Sequence, residues 1–427
     1  MAQVVVIGAG PMGLAAAHRA VSLGHSVDLV EADSVPGGMA AHFDFGGLSI
    51  ERFYHFVCKS DAPTFALMDE LGIGTAMKWR PTRMGYYIKG RIEPWGDPIS
   101  LLRFPHLSWI SKIRTGLQMF LTTKAKDFRK IEPLTARRWI ESGSGREVYE
   151  TLWKRLFELK FYELADDISA SWIATRVKRI GNSRRSIFRE ELGYIEGGTQ
   201  ALVDALVRAI ESKGGRIHLG APARKVMTEK GRATGVLAGD RLFPADAVIS
   251  TVPTPYVSDL VPDMPDDWKA RYAAIRNIGV VCLLFKLKRS VSRNFWLNIV
   301  DPAIEIPGLI EFSNLRPTQE TVIYVPYYMP TSNPKWAWDD GRFVDEAFGY
   351  IRRIAPHVQP TDLIDARVGR LRFAQPVCEP GFADKLPPIQ TPIGGLQIAD
   401  TCYYYPEDRG VSESIRFGRQ MAEAIAR

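Results

Sequence analysis

Three closely spaced glycines near the start of the chain have the spacing of a phosphate-binding turn. They occur in the run Gly8-Ala9-Gly10-Pro11-Met12-Gly13, and an acidic residue, Glu31, follows. Gly8 permits a tight turn, Gly10 lets the backbone approach a pyrophosphate, and Gly13 lets a helix pack close to a strand. A carboxylate at Glu31 can accept a hydrogen bond from a ribose hydroxyl. These residues therefore predict a site for a dinucleotide whose ribose is not phosphorylated.

The elements that must position these residues are a strand, a helix and a second strand. The apolar run Val4–Ile7 predicts a buried strand, and the stretch 12–23, rich in alanine and leucine, predicts a helix that ends at Gly24. A second strand is predicted over Val27–Val30. The helix N-terminus offers free N–H groups and the positive end of its dipole to phosphate. This order of elements distinguishes the pattern from a glycine-rich turn that binds nothing.

A glycine pair, Gly37-Gly38, follows Glu31 and precedes Met39. The stretch 31–38, Glu-Ala-Asp-Ser-Val-Pro-Gly-Gly, resembles the fingerprint of FAD proteins related to amine oxidases, protoporphyrinogen oxidase and phytoene desaturase. UDP-galactopyranose mutase carries a related version. The resemblance implies that the glycine pair passes close to the FAD phosphates. Met39 departs from the family pattern, since many members carry Arg there and the mutases often carry Asn.

The C-terminal part of the chain resembles the flavin motif of the same superfamily. The stretch 394–400 predicts a strand that ends on Asp400, and a terminal helix is predicted over 416–426 after the run 410–415. The resemblance implies that Asp400 contacts the ribityl chain. It also implies that the N–H groups near Val411 and Ser412 lie at the pyrimidine end of the isoalloxazine. A helix N-terminus there would stabilise negative charge on the reduced ring.

A third block, 194–253, has the order of elements that the superfamily shows. A glycine pair leads into a helix predicted over 201–212, then a strand over 214–219, and a last strand ends in Thr251-Val252-Pro253. The resemblance implies that Val226 packs near the adenosine. Over the three blocks, the implied cofactor-binding residues are Gly8, Gly10, Pro11, Met12, Gly13, Glu31, Ala32, Gly37, Gly38, Met39, Val226, Thr251, Asp400, Gly410, Val411, Ser412 and Ile415.

The resemblance implies an α/β fold in which a Rossmann-like FAD-binding domain with a parallel sheet is interleaved with an α+β substrate domain. We expect the FAD-binding domain to comprise residues 1–55, 192–255 and 366–427, and the substrate domain to comprise 56–191 and 256–365. The substrate domain should contain a hairpin that turns at Lys89-Gly90, a largely helical segment from about 107 to 180, and strands near 277–288 and 321–328.

Candidate catalytic residues are those that the resemblance brings beside the flavin ring. The run Phe53-Tyr54-His55-Phe56 resembles a mutase motif but lacks its Gly-Pro, and it suggests His55 and Arg52 on the substrate side. Tyr404, in the run 403–405, would border the ring as an aromatic wall. For each of them the alternative is a purely structural role, as a satisfied histidine or a packed aromatic corner.

The predicted function is that of an FAD-dependent oxidoreductase, an oxidase or a desaturase, that takes a hydride from a C–N or C–C bond of a small-molecule or lipid-like substrate. The alternative is a mutase-like isomerase acting on a sugar nucleotide, and a non-catalytic flavin-binding regulator is a third. No second dinucleotide fingerprint follows residue 55, which argues against turnover of a nicotinamide cofactor.

Composition limits the partners and the compartment. Hydrophobic residues make up 46% and charged residues 24% of the 427 residues, which excludes a largely disordered chain. The four cysteines form no C-x-x-C pair and the histidines have no metal-ligand spacing, so we expect no metal site and a reducing, cytoplasmic compartment. No apolar stretch is long enough to span a bilayer, and the first apolar run is too short for a secretory signal.

The net charge of +7 permits anionic partners, but no nucleic-acid-binding motif occurs and nothing indicates an oligomeric state. The stretch 109–130 mixes apolar residues with basic ones. The apolar residues are Trp109, Ile110, Leu117, Phe120 and Leu121, and the basic ones are Lys124, Lys126, Arg129 and Lys130. It predicts either a domain helix with a solvated basic face or an interfacial helix that gives peripheral contact with an anionic membrane.

Overall fold

The computed structural model describes residues 1–425. The β-strands are β1 (Gln3–Ile7), β2 (Ser26–Val30), β3 (His42–Asp44), β4 (Ser49–Glu51), β5 (Met77–Pro81), β6 (Met84–Ile88), β7 (Arg91–Trp95), β8 (Arg184–Ser186), β9 (Arg189–Ile195), β10 (Arg216–His218), β11 (Ala223–Glu229), β12 (Arg232–Ala238), β13 (Arg241–Pro244), β14 (Ala247–Ser250), β15 (Asn277–Leu287), β16 (Trp296–Ile299), β17 (Gly308–Glu311), β18 (Thr321–Met329), β19 (Leu363–Pro376) and β20 (Leu396–Ile398). The α-helices are α1 (Pro11–Ser22), α2 (Ala62–Glu70), α3 (Pro98–Arg103), α4 (Trp109–Lys124), α5 (Ala136–Gly143), α6 (Arg146–Val148), α7 (Lys154–Phe161), α8 (Ala170–Asn182), α9 (Thr199–Ser212), α10 (Val257–Leu260), α11 (Asp266–Ala273), α12 (Asp340–Ile354), α13 (Phe382–Lys385) and α14 (Val411–Ile425).

A five-stranded parallel sheet joins three distant parts of the chain. Its strand order is β10-β2-β1-β14-β20, and every neighbouring pair runs parallel. The β1 residues Val4, Val5 and Val6 are fully buried, as parallel strands covered on both faces require. The α/β class and the parallel sheet predicted from the sequence are confirmed.

The helices at the two ends of the chain pack directly on each other. A Cβ atom at Gly418 of α14 would lie only 2.2 Å from the carbonyl oxygen of Met12 in α1, so a glycine is needed where the two helices meet. The last helix starts earlier than the predicted residue 416, because the Ser414 N–H already donates an i to i−4 hydrogen bond to the Gly410 carbonyl at 3.1 Å. The predicted end of this helix, residue 426, lies outside the described residues.

A seven-stranded sheet forms the second layer, with the order β19-β15-β18-β17-β16-β6-β7. β15 pairs antiparallel with β18 on one side and β19 on the other. The predicted hairpin is present as β6 and β7, with Lys89 and Gly90 at its turn. The predicted domain boundary at residue 366 falls inside β19, and that at 192 falls inside β9, which pairs with β5. The division into two interleaved domains stays a prediction.

The segment between residues 107 and 180 is helical as predicted, but it is broken into α4 to α8. Helix α4 begins at an N-cap, where the Ser108 hydroxyl accepts a hydrogen bond from the Ser111 N–H at 3.3 Å. A π-helical turn, Tyr149–Trp153, joins α6 to α7. Within residues 1–425, none of the helices combines the length and the apolar character that crossing a bilayer would require.

Candidate functional site

A single cavity of about 1590 Å³ runs along both layers of the molecule and collects most of the predicted site residues. The predicted residues that line it are Gly8, Gly10, Pro11, Met12, Glu31, Ala32, Gly38, Met39, Arg52, His55, Thr251, Asp400, Tyr404, Gly410 and Val411. The predicted residues that do not line it are Gly13, Gly37, Val226, Ser412 and Ile415. Val226 is fully buried in β11, and its neighbours Ala223 and Arg224 face the cavity instead.

The glycine turn after β1 leaves space for a ligand at one position and none at another. A Cβ atom at Gly13 would lie 1.8 Å from the Gly8 carbonyl oxygen, so α1 can sit against the turn only without a side chain there. A Cβ atom added at Gly10 would have open space around it. Apart from its chain neighbours, no heavy atom of residues 1–425 would lie within 4 Å. The Gly37 N–H donates to the Ala9 carbonyl at 2.8 Å and thereby ties the second glycine loop to the first. The open side of Gly10 faces the cavity.

The predicted ribose-binding carboxylate is held in place by backbone donors. Glu31 Oε2 accepts a hydrogen bond from the Ala9 N–H at 2.6 Å, and Oε1 accepts one from the Asp33 N–H at 2.8 Å. Arg52 forms an ion pair with Asp33, and this hydrogen bond lowers the pKa of the Asp33 carboxyl. Arg52 therefore lies at the same end of the cavity as Glu31, and its guanidinium is already paired.

The C-terminal motif contributes one buried acid and one helix start. Asp400 accepts hydrogen bonds from the Thr254 N–H at 2.6 Å and the Cys402 N–H at 2.8 Å, while burial raises the pKa of its carboxyl. In the first turn of α14, the Ser412 hydroxyl is buried and has no hydrogen-bond partner among residues 1–425. The backbone donors thus fix the Asp400 carboxylate at the cavity wall.

His55 is enclosed at the cavity wall, and its Nδ1 atom has no hydrogen-bond partner within residues 1–425. Burial lowers the pKa of its imidazole to about 4, and the nearby Glu51 carboxylate offsets only part of that effect. The imidazole is therefore neutral at neutral pH. A neutral ring cannot supply a positive charge to a ligand in the cavity.

We expect the burial of His55 to make the protein less stable in mild acid. Because the pKa is lower in the folded than in the unfolded state, the unfolded chain binds the proton first, and stability falls as the pH drops from about 6.5 towards 4. The shift predicts a loss of roughly 2 to 3 kcal/mol over this range. His55→Gln should remove this part of the pH dependence, as measured by urea unfolding at neutral and acid pH. An unchanged pH slope in the variant would contradict the assignment.

Tyr404 lines the cavity, and its hydroxyl is engaged in a hydrogen bond within the protein. It hydrogen-bonds the Ser414 hydroxyl of α14 at 2.7 Å, and its ring stacks on Phe417 with a centroid distance of 5.5 Å. Burial raises the pKa of the phenol. Tyr404 thus connects the loop after Asp400 to the last helix.

A group of polar residues on the cavity wall was not predicted from the sequence. The Tyr328 hydroxyl accepts a hydrogen bond from Arg409 Nη2 at 2.7 Å and lies 3.5 Å from the Tyr54 hydroxyl. Lys160 Nζ lies 4.6 Å from the Tyr328 ring centroid and 5.0 Å from that of Trp172. Burial and the charge of Arg176 lower the pKa of Lys160 well below its ordinary value. These residues come from separate segments, so no sequence motif joins them.

The cavity residues fit a dinucleotide cofactor with a diphosphate. The open face of Gly10 at the N-terminus of α1 leaves room for phosphate, and the cavity is larger than the roughly 300 to 1000 Å³ of ordinary ligand pockets. At the other end, Asp400 and the start of α14 at Gly410 and Val411 line the cavity. The site therefore has room for a cofactor and a second ligand together.

The chain is similar to enzymes of several reaction types. It is 25% identical over 307 residues to the zeta-carotene-forming phytoene desaturase of Myxococcus xanthus. The aligned region covers 61% of this chain and only 55% of the desaturase. The structure of reduced UDP-galactopyranose mutase superposes with a TM-score of 0.77 at 16% identity, covering 100% of this chain and 94% of the mutase. Putrescine oxidase bound to putrescine superposes with a TM-score of 0.73 at 18% identity, covering 100% and 99%. At these identities the superpositions establish the fold alone.

A family-wide sequence pattern covers far more of the chain than the sequence match to the phytoene desaturase does. The pattern of the family described as flavin containing amine oxidoreductase matches residues 13–425, which is nearly the whole chain. Its span includes the second glycine pair, the middle block and the C-terminal motif, and the parallel sheet brings these together at one cavity. The chain therefore belongs to the flavin containing amine oxidoreductase family, a family of FAD-dependent oxidoreductases, and FAD is its cofactor.

Proposed function

We propose that the protein takes a hydride from a C–N or C–C bond of an apolar small molecule, as an oxidase or a desaturase. The observation that carries this proposal is the continuity of the cavity. It connects the glycine turn at Gly10 with a region walled by Tyr54, Trp296, Tyr328 and Phe161. A flavin bound at the glycine turn supplies the hydride acceptor.

The aromatic wall positions the substrate and excludes water. Tyr54 packs edge-on against Trp296 at a centroid distance of 5.4 Å and against Tyr324 at 5.7 Å. Such edge-to-face packing holds each ring in one orientation. Burial and the neighbouring Tyr328 raise the pKa of the Tyr54 phenol, so its hydroxyl keeps its proton. The wall can therefore orient an apolar substrate without supplying an ionised base.

A second candidate function, isomerisation of a sugar nucleotide, is favoured by the cations on the same wall. Arg176, Arg409 and Lys160 line the cavity close to one another, and the nearby Asp408 carboxylate pairs with Arg176 at 3.0 Å. This excess of positive charge could meet a diphosphate. Arg409 is, however, already bonded to the Tyr328 hydroxyl and to the Ala374 carbonyl, and Lys160 is held among aromatic rings. We therefore rank the redox function first.

The visible spectrum of the FAD-loaded protein tests the proposal. Amines, polyprenoids, porphyrinogens and nucleotide sugars are each added anaerobically to the protein. We expect a member of one of the first three classes to bleach the oxidised flavin band. Turnover of a nucleotide sugar only after the flavin has been reduced, with substrate and product at the same oxidation level, would instead establish the isomerase. Bleaching by an apolar substrate would exclude it.

Replacing Lys160 by methionine should separate the two candidate functions. Methionine keeps the length of the side chain and removes the amine, so KM for an apolar substrate should change by less than about 2-fold. For an anionic nucleotide sugar, loss of the amine as a hydrogen-bond donor at the wall should raise KM by about 10-fold or more. Steady-state kinetics measures both values. Lys213→Met provides the control, since Lys213 is exposed and bonds only the Ser22 hydroxyl at 2.8 Å.

A further inference from the structure

Helix α4 packs with its polar side inward and its apolar side outward. The residues that it buries are Ser111, Lys112, Thr115 and Thr122, and Lys112 Nζ donates to the Leu102 carbonyl at 2.8 Å. The exposed large side chains of the helix are Trp109, Ile110, Ile113, Leu117, Phe120 and Leu121. Ile110 is 71% and Ile113 66% exposed. A helix of a globular protein normally turns its apolar stripe towards the core, so this arrangement indicates that another apolar phase covers the helix.

Neighbouring elements extend the exposed apolar surface. Ile99 and Leu102 of α3 are exposed, and so are Ile187 and Phe188 in the turn between β8 and β9. A Cβ atom at Gly181, at the end of α8, would lie 2.6 Å from the Thr123 side chain, which shows how closely this region approaches α4. We name the ten exposed apolar residues of α3, α4 and the 187–188 turn the apolar face. A continuous patch of this size is unusual on the surface of a soluble monomer.

The cavity opens within the apolar face. Phe120 is 59% exposed and Ile187 is 66% exposed, and both residues also line the cavity. Leu101, Met119 and Thr123 continue the lining inward from these two residues. A molecule that enters the cavity between α4 and the 187–188 turn therefore passes over apolar side chains from the outside to the inside.

Positive charge surrounds the apolar face. The segment 97–130 carries seven basic and two acidic residues, and the β8–β9 hairpin adds Arg185 and Arg189. Within residues 1–425, the exposed Arg103, Lys124, Lys126 and Lys130 form no ion pair, although Asp127 pairs with Arg129 at 2.9 Å. Apolar side chains with unpaired lysines and arginines at their margin match the headgroup and acyl layers of an anionic bilayer.

We propose that the apolar face docks on the surface of a bilayer that contains anionic phospholipid, and that the cavity then opens directly into the lipid. Helix α4, with 16 residues and a length of about 24 Å, lies in the plane of the interface. The substrate that this arrangement admits is a lipid-soluble molecule. This second part rests on the proposed function, whereas the docking itself does not.

Sedimentation with lipid vesicles tests the docking. The FAD-loaded full chain is mixed with vesicles of phosphatidylcholine alone or of an equimolar mixture of phosphatidylcholine and phosphatidylglycerol. We expect the protein to bind the mixed vesicles at least 10-fold more tightly, and Ile110→Asp combined with Ile113→Asp to weaken this binding at least 10-fold. Neither isoleucine lines the cavity. Leu242→Asp combined with Ile364→Asp is the matched control, because these residues are also exposed but lie in β13 and β19.

Two results would overturn the docking. One is that the unmodified protein fails to bind either kind of vesicle. The other is that it forms a dimer, or a complex with a second protein, that the Ile110→Asp and Ile113→Asp substitutions disrupt while vesicle binding remains unchanged. As an independent measurement, brominated phosphatidylcholine in the mixed vesicles should quench Trp109, which is 64% exposed. The quenching should disappear in Trp109→Phe.

Access from the lipid is tested with a substrate that bleaches the flavin. In the variant that combines Ile110→Asp with Ile113→Asp, the rate of flavin bleaching should fall at least 10-fold when the substrate is delivered in vesicles. The rate should not fall when the substrate is delivered in detergent. Equal rates for both forms of delivery would overturn the access route. If no substrate bleaches the flavin while vesicle binding persists, the proposed function fails and the docking stands.

Discussion

Replacing Gly13 by alanine should destabilise the protein and abolish FAD binding, while the same change at Gly10 should affect FAD binding alone. The added Cβ at Gly13 would lie 1.8 Å from a backbone oxygen, that of Gly8, which cannot move without shifting β1 or α1. We expect a loss of about 3 kcal/mol in the free energy of unfolding, at the upper end of what overpacking a core costs. The displaced helix would no longer present its N-terminus to the diphosphate.

Gly10→Ala serves as the matched control in the same turn. Gly10 has a φ of −68°, which alanine adopts without strain, and no surrounding heavy atom within 4 Å of the new methyl group. The free energy of unfolding of the apoprotein should therefore change by less than about 0.5 kcal/mol. The methyl group would project into the space that we assign to the pyrophosphate, and the Kd for FAD should rise by about 10-fold or more. Urea unfolding and flavin titration measure the two effects. Equal losses of stability in both variants would contradict the packing argument.

Glu51→Gln should destabilise the fold by about 3 to 5 kcal/mol, because it removes one partner of a buried charge cluster. The Glu51 carboxylate lies 3.2 Å from Arg316 Nη1 and 3.4 Å from His42 Nε2, and it accepts a hydrogen bond from the Thr199 N–H at 3.1 Å. Its side chain is 3% exposed. Without the carboxylate, Arg316 would keep a buried charge with no counterion. The cluster connects β4 to the start of α9, next to the cavity.

The same cluster determines a pH dependence with a defined direction. Burial raises the pKa of Glu51, but the hydrogen bond and charge of His42, together with the charge of Arg316, outweigh this effect and lower the pKa to about 2. Because the pKa is lower in the folded than in the unfolded state, the stabilisation is complete above about pH 4.5 and is lost as the pH falls towards 2. Glu51→Gln should flatten the stability curve over this range.

A surface ion pair provides the comparison for Glu51. Glu150 pairs with Lys154 at 2.9 Å, and both side chains are more than a third exposed. Glu150→Gln should change the free energy of unfolding by no more than about 0.5 kcal/mol, because solvent screens the pair. Urea unfolding of both variants at neutral pH measures the contrast. If Glu51→Gln and Glu150→Gln lowered the free energy of unfolding equally, burial would not explain how the Glu51 cluster stabilises the fold.

The sequence predicted the parts of the site in which neighbouring residues build a local structure. The turn at Gly8 and Gly10, the following helix and the acid at Glu31 lie within one continuous strand–helix–strand unit, so their spacing alone indicated their arrangement. Asp400 and the start of α14 could be predicted from the sequence for the same reason. The resemblance connected these blocks, since nothing in the spacing of residues 31 and 400 brings them to one cavity.

The sequence did not predict the cluster formed by Tyr54, Lys160, Tyr328 and Arg409. These residues come from four segments, and their contacts depend on how the seven-stranded sheet and α7 meet the loop before α14. The catalytic roles suggested for Arg52, His55 and Tyr404 stay predictions. Their partners also come from the tertiary structure, which pairs Arg52 with Asp33 and Tyr404 with Ser414. Pairing of polar side chains across a fold leaves no periodic signal in the chain.

By itself, the sequence determined the family, the α/β class and a nucleotide-binding turn, because each follows from residues that are close along the chain or from a matched pattern. The residue pattern of α4 predicted an amphipathic helix, but it allowed the apolar side of the helix to face either the core or the outside. Only the tertiary structure decided that question, because α8 and α5 pack against the side of α4 that carries Ser111, Thr115 and Thr122. Periodicity defines which side chains share a face, whereas the neighbouring elements determine which face is covered.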